Sequence, residues 1–187
     1  MRKRFFPVVA CVAVSCLLAS CGNNNPPIPV DKAAVQVFFS PEGGCTAAIV
    51  AALDGARQTV LVQAYSFTSA PIAKALVNAH KRGVKVEVIL DKSLHTDKYS
   101  SADFMAHAGI PTLVDSRHSI AHNKIMVIDG ETVITGSFNF TFAAEEHNAE
   151  NLLIIRDKAL AEKYVSNWNE HAAHSEKYAG RGDPGPL

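Results

Sequence analysis

Hydrophobic positions change period repeatedly along the chain, and each change marks an element. Residues 84–90 set Val84, Val86 and Val88 against Lys85 and Glu87, the two-residue alternation of a strand with one buried face. Residues 46–56 instead space Ala47, Ile49, Val50 and Leu53 at helical intervals. The same reading predicts strands at 35–39, 59–67, 84–90, 110–114, 124–128, 132–135 and 151–155. It predicts helices at 46–56, 70–82, 101–108 and 158–171, the second and third stopped by Gly83 and Gly109. Asp129-Gly130 is a tight hairpin signal, whereas most other strands alternate with helices. The expectation is an α/β fold, one domain per chain, with a mixed β-sheet flanked by helices on both faces.

The first twenty residues break this pattern. Arg2, Lys3 and Arg4 precede an apolar run from Phe5 to Ala19, the shape of a secretory signal and too short for an ordinary membrane span. The run ends Leu18-Ala19-Ser20-Cys21, which resembles the lipobox of bacterial lipoproteins. That likeness implies cleavage before Cys21, lipidation of Cys21, and a protein exported across the inner membrane and held in the periplasm on the outer membrane. The expected organisation is signal at 1–20, tether at 21–34 (polar and proline-rich), domain at 35–175 and a loose tail at 176–187.

Charge sharpens the picture. The whole chain carries 18 basic and 18 acidic residues, but without the first twenty it carries 15 against 18, a balance of −3. That excludes a globally basic nucleic-acid binder, so any phosphate chemistry belongs to a local site. Cys11 and Cys16 lie in the signal and Cys21 carries lipid, which leaves Cys45 as a small packed residue with no disulfide partner.

The candidate chemistry lies in His122-Asn123-Lys124 through Asp129, followed by Gly136-Ser137-Phe138-Asn139. Alternate residues of a strand share a face, so His122 projects with Lys124 and Ser137 with Asn139. A hairpin brings the start of its first strand beside the end of its second, gathering all four. Imidazole, ammonium, hydroxyl and amide around one point suit a phosphoryl group: lysine neutralises oxyanions while serine and asparagine bond them.

These residues resemble the signature of the phospholipase D superfamily, matched as His122, Lys124, Asp129, Gly136, Ser137 and Asn139. Ser40-Pro41, Ala64-Tyr65-Ser66-Phe67-Thr68 and Asn148-Ala149-Glu150-Asn151 are similar to its small, single-motif bacterial endonuclease branch, and the likeness runs from Val35 to Trp168. It implies catalysis through a phosphohistidine on His122, with Lys124, Ser137 and Asn139 binding the phosphate. It also implies that Glu150 holds the histidine's other ring nitrogen. Asp129 belongs to the signature but sits at the hairpin turn, where it is either catalytic support or structural. No cofactor and no divalent metal are implied.

Larger superfamily members carry the signature twice, whereas this chain has one copy. The resemblance therefore implies a homodimer with one His122 from each subunit in a shared site. The leading substrate is DNA, with RNA as a second nucleic acid. The alternative is a phospholipase D acting on a lipid head group such as cardiolipin's, favoured by the membrane anchor and the −3 charge. A catalytically silent nucleic-acid-binding module is a third reading, disfavoured by the intact residue set.

Other polar residues are set aside. His118 and His122 have a helical metal-ligand spacing, but the segment reads as loop and strand, and no Asp or Cys is seen to complete a set. His171 and His174 near the end of the last helix read as solvated. Trp168, with Leu160 and Tyr164, reads as core packing, and Lys81, Arg82 and Lys85 as a solvated helix end.

Overall fold

The computed structural model describes residues 34–95 and 101–181. The signal, Cys21, almost all of the tether and residues 182–187 of the tail lie outside the described residues.

The alternating segments become strands β1 (Val35–Ser40), β2 (Thr59–Ala64), β3 (Lys85–Asp91), β4 (Thr112–Asp115), β5 (Lys124–Ile128), β6 (Thr132–Gly136), β7 (Glu150–Arg156) and β8 (Glu176–Tyr178). They form one mixed sheet in the order β1-β7-β6-β5-β2-β3-β4-β8. β2, β3 and β4 run parallel, and the other pairings are antiparallel. Helices α1 (Cys45–Asp54), α2 (Ala70–Lys81), α3 (Ala102–His107), α4 (Phe142–Glu146) and α5 (Lys158–Ala172) complete the fold.

Strand alternation sorts the sheet into two faces. Val60, Val62, Val86, Val88, Met126 and Ile154 pack with Ile49 and Leu53 of α1, Ile72 and Leu76 of α2 and Met105 of α3. Leu61, Ile125, Val127 and Val133 turn the other way and meet Leu160, Ala161, Tyr164 and Val165 of α5. Trp168 is buried there and its Nε1 donates to the Val62 carbonyl at 2.9 Å, a packing role as expected. Cys45 is fully buried in the larger core, and burial pushes its thiol up to about 11. Helices on both faces of a mixed sheet are what the sequence pattern predicts.

Three differences have local causes. The strand expected to reach residue 67 ends at Ala64, because Tyr65 N donates instead to the Asn123 carbonyl at 2.8 Å and Phe67 bridges to Phe140. Helix α4 is too short for a periodic signal; Thr141 caps it by accepting from Ala144 N, and its Glu145 accepts from Gly44 N and Thr46 N at the start of α1. The segment expected as a loose tail begins with β8, which pairs with β4, and Tyr178 and Arg181 both bond the Asp103 carboxylate. Among the described residues no helix is long and apolar enough to cross a membrane.

Candidate active site

Strand directions bring the signature to one end of the sheet. β2 ends just before Tyr65 there, β5 begins at Lys124, β6 ends just before Ser137 and β7 begins at Glu150. This is also the carboxyl end of the parallel strands, where open α/β sheets place their ligands.

His122 is exposed and lies two residues before the start of β5. Its ring lies 4.5 Å from that of Tyr65, centroid to centroid. Its loop is fixed from behind by Asp91 at the end of β3, whose Oδ2 accepts from Ala121 N at 2.7 Å while Oδ1 accepts from Ser93 N at 2.9 Å. Burial works to raise the Asp91 pKa, but these hydrogen bonds outweigh it and hold the carboxyl below its ordinary value.

Lys124 is 8% exposed. Its Nζ donates to the His122 carbonyl at 3.0 Å and lies 5.0 Å from the centre of the Tyr65 ring. Burial lowers its pKa, and the nearby Glu150 charge only partly restores it. A desolvated ammonium held on two sides is a strong anchor for a phosphate oxygen. Tyr65, touching both His122 and Lys124, had no role in the sequence reading beyond its place in a family-like segment.

Ser137 follows Gly136, whose φ of +149° and lack of a Cβ let the chain pass Asn151; a Cβ there would lie 2.2 Å from the Asn151 carbonyl oxygen. Ser137 Oγ accepts from Asn151 N and Nδ2 at 3.1 and 3.2 Å, which leaves its hydroxyl proton to give. The Oδ1 of Asn139 is buried and meets no hydrogen-bond partner among the described residues. The structure thus brings His122, Lys124, Ser137 and Glu150 to neighbouring strand ends, with Asn139 two residues beyond Ser137.

The structure bears on two further expectations. Asp129 sits at the opposite end of β5, with φ of 54°, and its carboxylate accepts from the backbone N–H groups of Arg57, Gln58 and Thr59. It clamps the hairpin to the start of β2, the structural one of the two roles left open, at the end of the sheet away from His122. Glu150 Oε1 accepts from Asn148 Nδ2 at 3.2 Å and its charge acts on Lys124; within one chain it makes no hydrogen bond to His122 among the described contacts.

The histidines set aside also need correction. His118 does not pair with His122 but packs with His171, His174 and Asp115, the acid taken to be missing. Burial works to raise the Asp115 pKa, yet hydrogen bonds from His171 and His118, with the His174 ring close by, hold it well below the usual carboxylate range. His171 and His174 are 14% and 19% exposed at their side chains, not solvated. Folding, not spacing, joins residues 56 positions apart.

Residues 49–172 match the family described as "Cardiolipin synthase, PLD-like domain". A phospholipase D of Rickettsia felis is 45% identical over 137 residues, covering 73% of this chain and 68% of its own. The mitochondrial cardiolipin hydrolase of Xenopus laevis is 29% identical over 157 residues, covering 76% of this chain and 75% of its own. The crystal structure of Nuc, a phospholipase D family member from Salmonella typhimurium, is 41% identical with a TM-score of 0.75, covering 77% of this chain and 97% of that one. The chain belongs to the phospholipase D-like family, and it is a phosphodiester hydrolase.

Proposed function

We propose that this hydrolase is an endonuclease that cleaves DNA, with RNA as a second nucleic acid, through a covalent phosphohistidine at a homodimer interface. The observation that carries this reading is the match to Nuc, which extends over 97% of that chain and so covers a whole small relative with this one domain. The openness of the site agrees with it. His122 and Ser137 are exposed at the sheet end, where a phosphate within a long polymer can reach them.

One His122 ring nitrogen attacks phosphorus. The P–N bond forms as the P–O bond to the leaving oxygen breaks, and the partner's His122, protonated, gives that oxygen its proton. Water then attacks phosphorus, yielding a proton to the now neutral imidazole of the partner, and the P–N bond breaks. Lys124, Ser137 and Asn139 hold the non-bridging oxygens throughout. A single chain provides the nucleophile without the acid, which is the reason for the dimer. Glu150, not bonded to His122 in its own chain, is free to orient the partner's His122.

A second reading is hydrolysis of a phospholipid head group. It is favoured by the names of the Rickettsia and Xenopus relatives and by Phe39, Ile120 and Phe142, which are 64%, 59% and 66% exposed in segments bordering the site. The test offers plasmid DNA, RNA and cardiolipin vesicles in parallel, in excess EDTA, to the wild-type protein and to His122→Ala. DNA cleavage lost in the variant supports the nuclease. Head-group release with intact plasmid overturns it in favour of the lipid.

The reading extends to location. The basic start, apolar run and Cys21 support export and a lipid anchor on the periplasmic side of the cell envelope. Cys21→Ser is expected to release the protein from membranes, and unchanged membrane association contradicts the anchor.

A further inference from the structure

Asp115 ends β4 as a fully buried carboxylate surrounded by three imidazoles. Its Oδ1 is committed to the backbone, accepting from Arg117 N at 3.1 Å and His118 N at 3.4 Å. Its Oδ2 faces His118 Nδ1 at 2.9 Å, His171 Nδ1 at 2.7 Å and His174 Nε2 at 3.4 Å. The three rings stand 4.8, 5.2 and 5.3 Å apart, centre to centre, around that one oxygen.

As a network of neutral imidazoles the arrangement is incomplete. Two ring N–H groups can donate to Oδ2, but His174 Nε2, buried and 3.4 Å from that oxygen, meets no hydrogen-bond geometry among the described residues. A cation at the common point turns all four inward atoms into ligands. The four donor atoms lie within 4.8 Å of one another. Ligands of a tetrahedral ion bound at about 2.0–2.2 Å stand about 3.3 Å apart, so side-chain adjustments on the order of 1 Å close the shell.

We propose that Asp115, His118, His171 and His174 form a zinc site. Imidazole nitrogen with one carboxylate oxygen suits zinc over magnesium or calcium, which take oxygen sets. Four protein ligands fill a tetrahedron, so the site is structural and does not activate water. Its surroundings already hold the ligands in place: Lys92 Nζ donates to the His118 carbonyl at 2.9 Å and Ser175 Oγ to the His171 carbonyl at 2.8 Å. The ion ties the end of α5 to the loop that leads from His118 to His122. The sheet edge thereby gains a rigid support behind the catalytic histidine.

The test uses the untagged full-length protein, stripped with EDTA and then titrated with zinc sulfate against a chromophoric chelator. About one zinc per chain should bind, and saturation should raise Tm by about 5–10 °C. Cobalt(II) in its place should give the intense visible bands of a tetrahedral ion. His174→Gln and His118→Gln, at side chains 19% and 45% exposed, should each weaken binding by about tenfold or more. No binding to the wild-type protein overturns the proposal, as does zinc binding that both variants retain unchanged. None of these readouts depends on hydrolysis, so this site and the reaction at His122 stand or fall separately.

Discussion

The Nζ of Lys124 donates a hydrogen bond of 3.0 Å to the backbone carbonyl of His122, so the proposed phosphate-binding charge is tied to the main chain of the proposed nucleophile. Burial lowers the Lys124 pKa, meaning that its charged form works against folding at neutral pH and that this cost falls as pH rises from the folded pKa toward the ordinary lysine value, above which it is gone. Lys124→Met should therefore keep or raise Tm while lowering kcat/KM by about 10²–10⁴-fold. Thermal unfolding and steady-state kinetics on one preparation check both halves. A variant that is less stable but fully active contradicts the role.

Asp129 should behave in the opposite way. Its carboxylate holds three backbone N–H groups at the far end of the sheet. Asp129→Ala should cost about 1–3 kcal/mol in chemical denaturation and leave kcat within about threefold on the folded fraction. A large loss of kcat at unchanged stability would restore Asp129 to the reaction.

Gly136 has no room for a side chain, with the Asn151 carbonyl oxygen 2.2 Å from any Cβ. Gly136→Ala should displace Ser137 and lower both Tm and activity, whereas Ser137→Ala should lower activity with little change in Tm. Equal stability losses in the two variants would show that Ser137 serves the fold.

The end of the described chain should respond to acid. Burial works to raise the Asp103 pKa, but hydrogen bonds from Tyr178 and Arg181 lower it to about 2. Because the folded pKa lies below the ordinary carboxylate value, the stabilisation is complete above about pH 4 and is lost as pH falls through about 2. Hydrogen exchange at residues 177–181 should accelerate over that window, and Asp103→Asn should show fast exchange at every pH. Exchange in the wild-type protein independent of pH, after correction for intrinsic rates, contradicts the clamp.

A shared dimer site, as proposed, predicts dominance. In a fully exchanged equal mixture of wild-type and His122→Ala subunits, about a quarter of the pure wild-type rate should remain, against about half if each chain acts alone. Sedimentation should show a dimer throughout.

The sequence reading succeeded where signal is local. Period-two alternation located β3, Asp129-Gly130 located the β5–β6 hairpin, and the spacing from His122 to Asn139 located residues that the fold gathers at one end of the sheet. It failed where partners meet only after folding. Tyr65 reaches His122 and Lys124 because β2 pairs with β5, and Asp115 meets His171 because α5 returns across the sheet. The role of Asp129 stayed open between catalytic support and structure because a signature fixes residue order, while the backbone partners at the start of β2 appear only on folding. β8, three residues long, is too short to show any period.

The central claim is that the reaction passes through His122, and the most direct measurement is capture of that intermediate. A short oligonucleotide labelled at each end in turn is mixed with enzyme and quenched in denaturant at alkaline pH, where a phosphorus–nitrogen bond survives. The account predicts label attached to the chain, lost on acid treatment, mapped by mass spectrometry to the peptide carrying His122 and missing in His122→Ala. Cleavage with no adduct, together with cleavage that persists in His122→Ala, would contradict it.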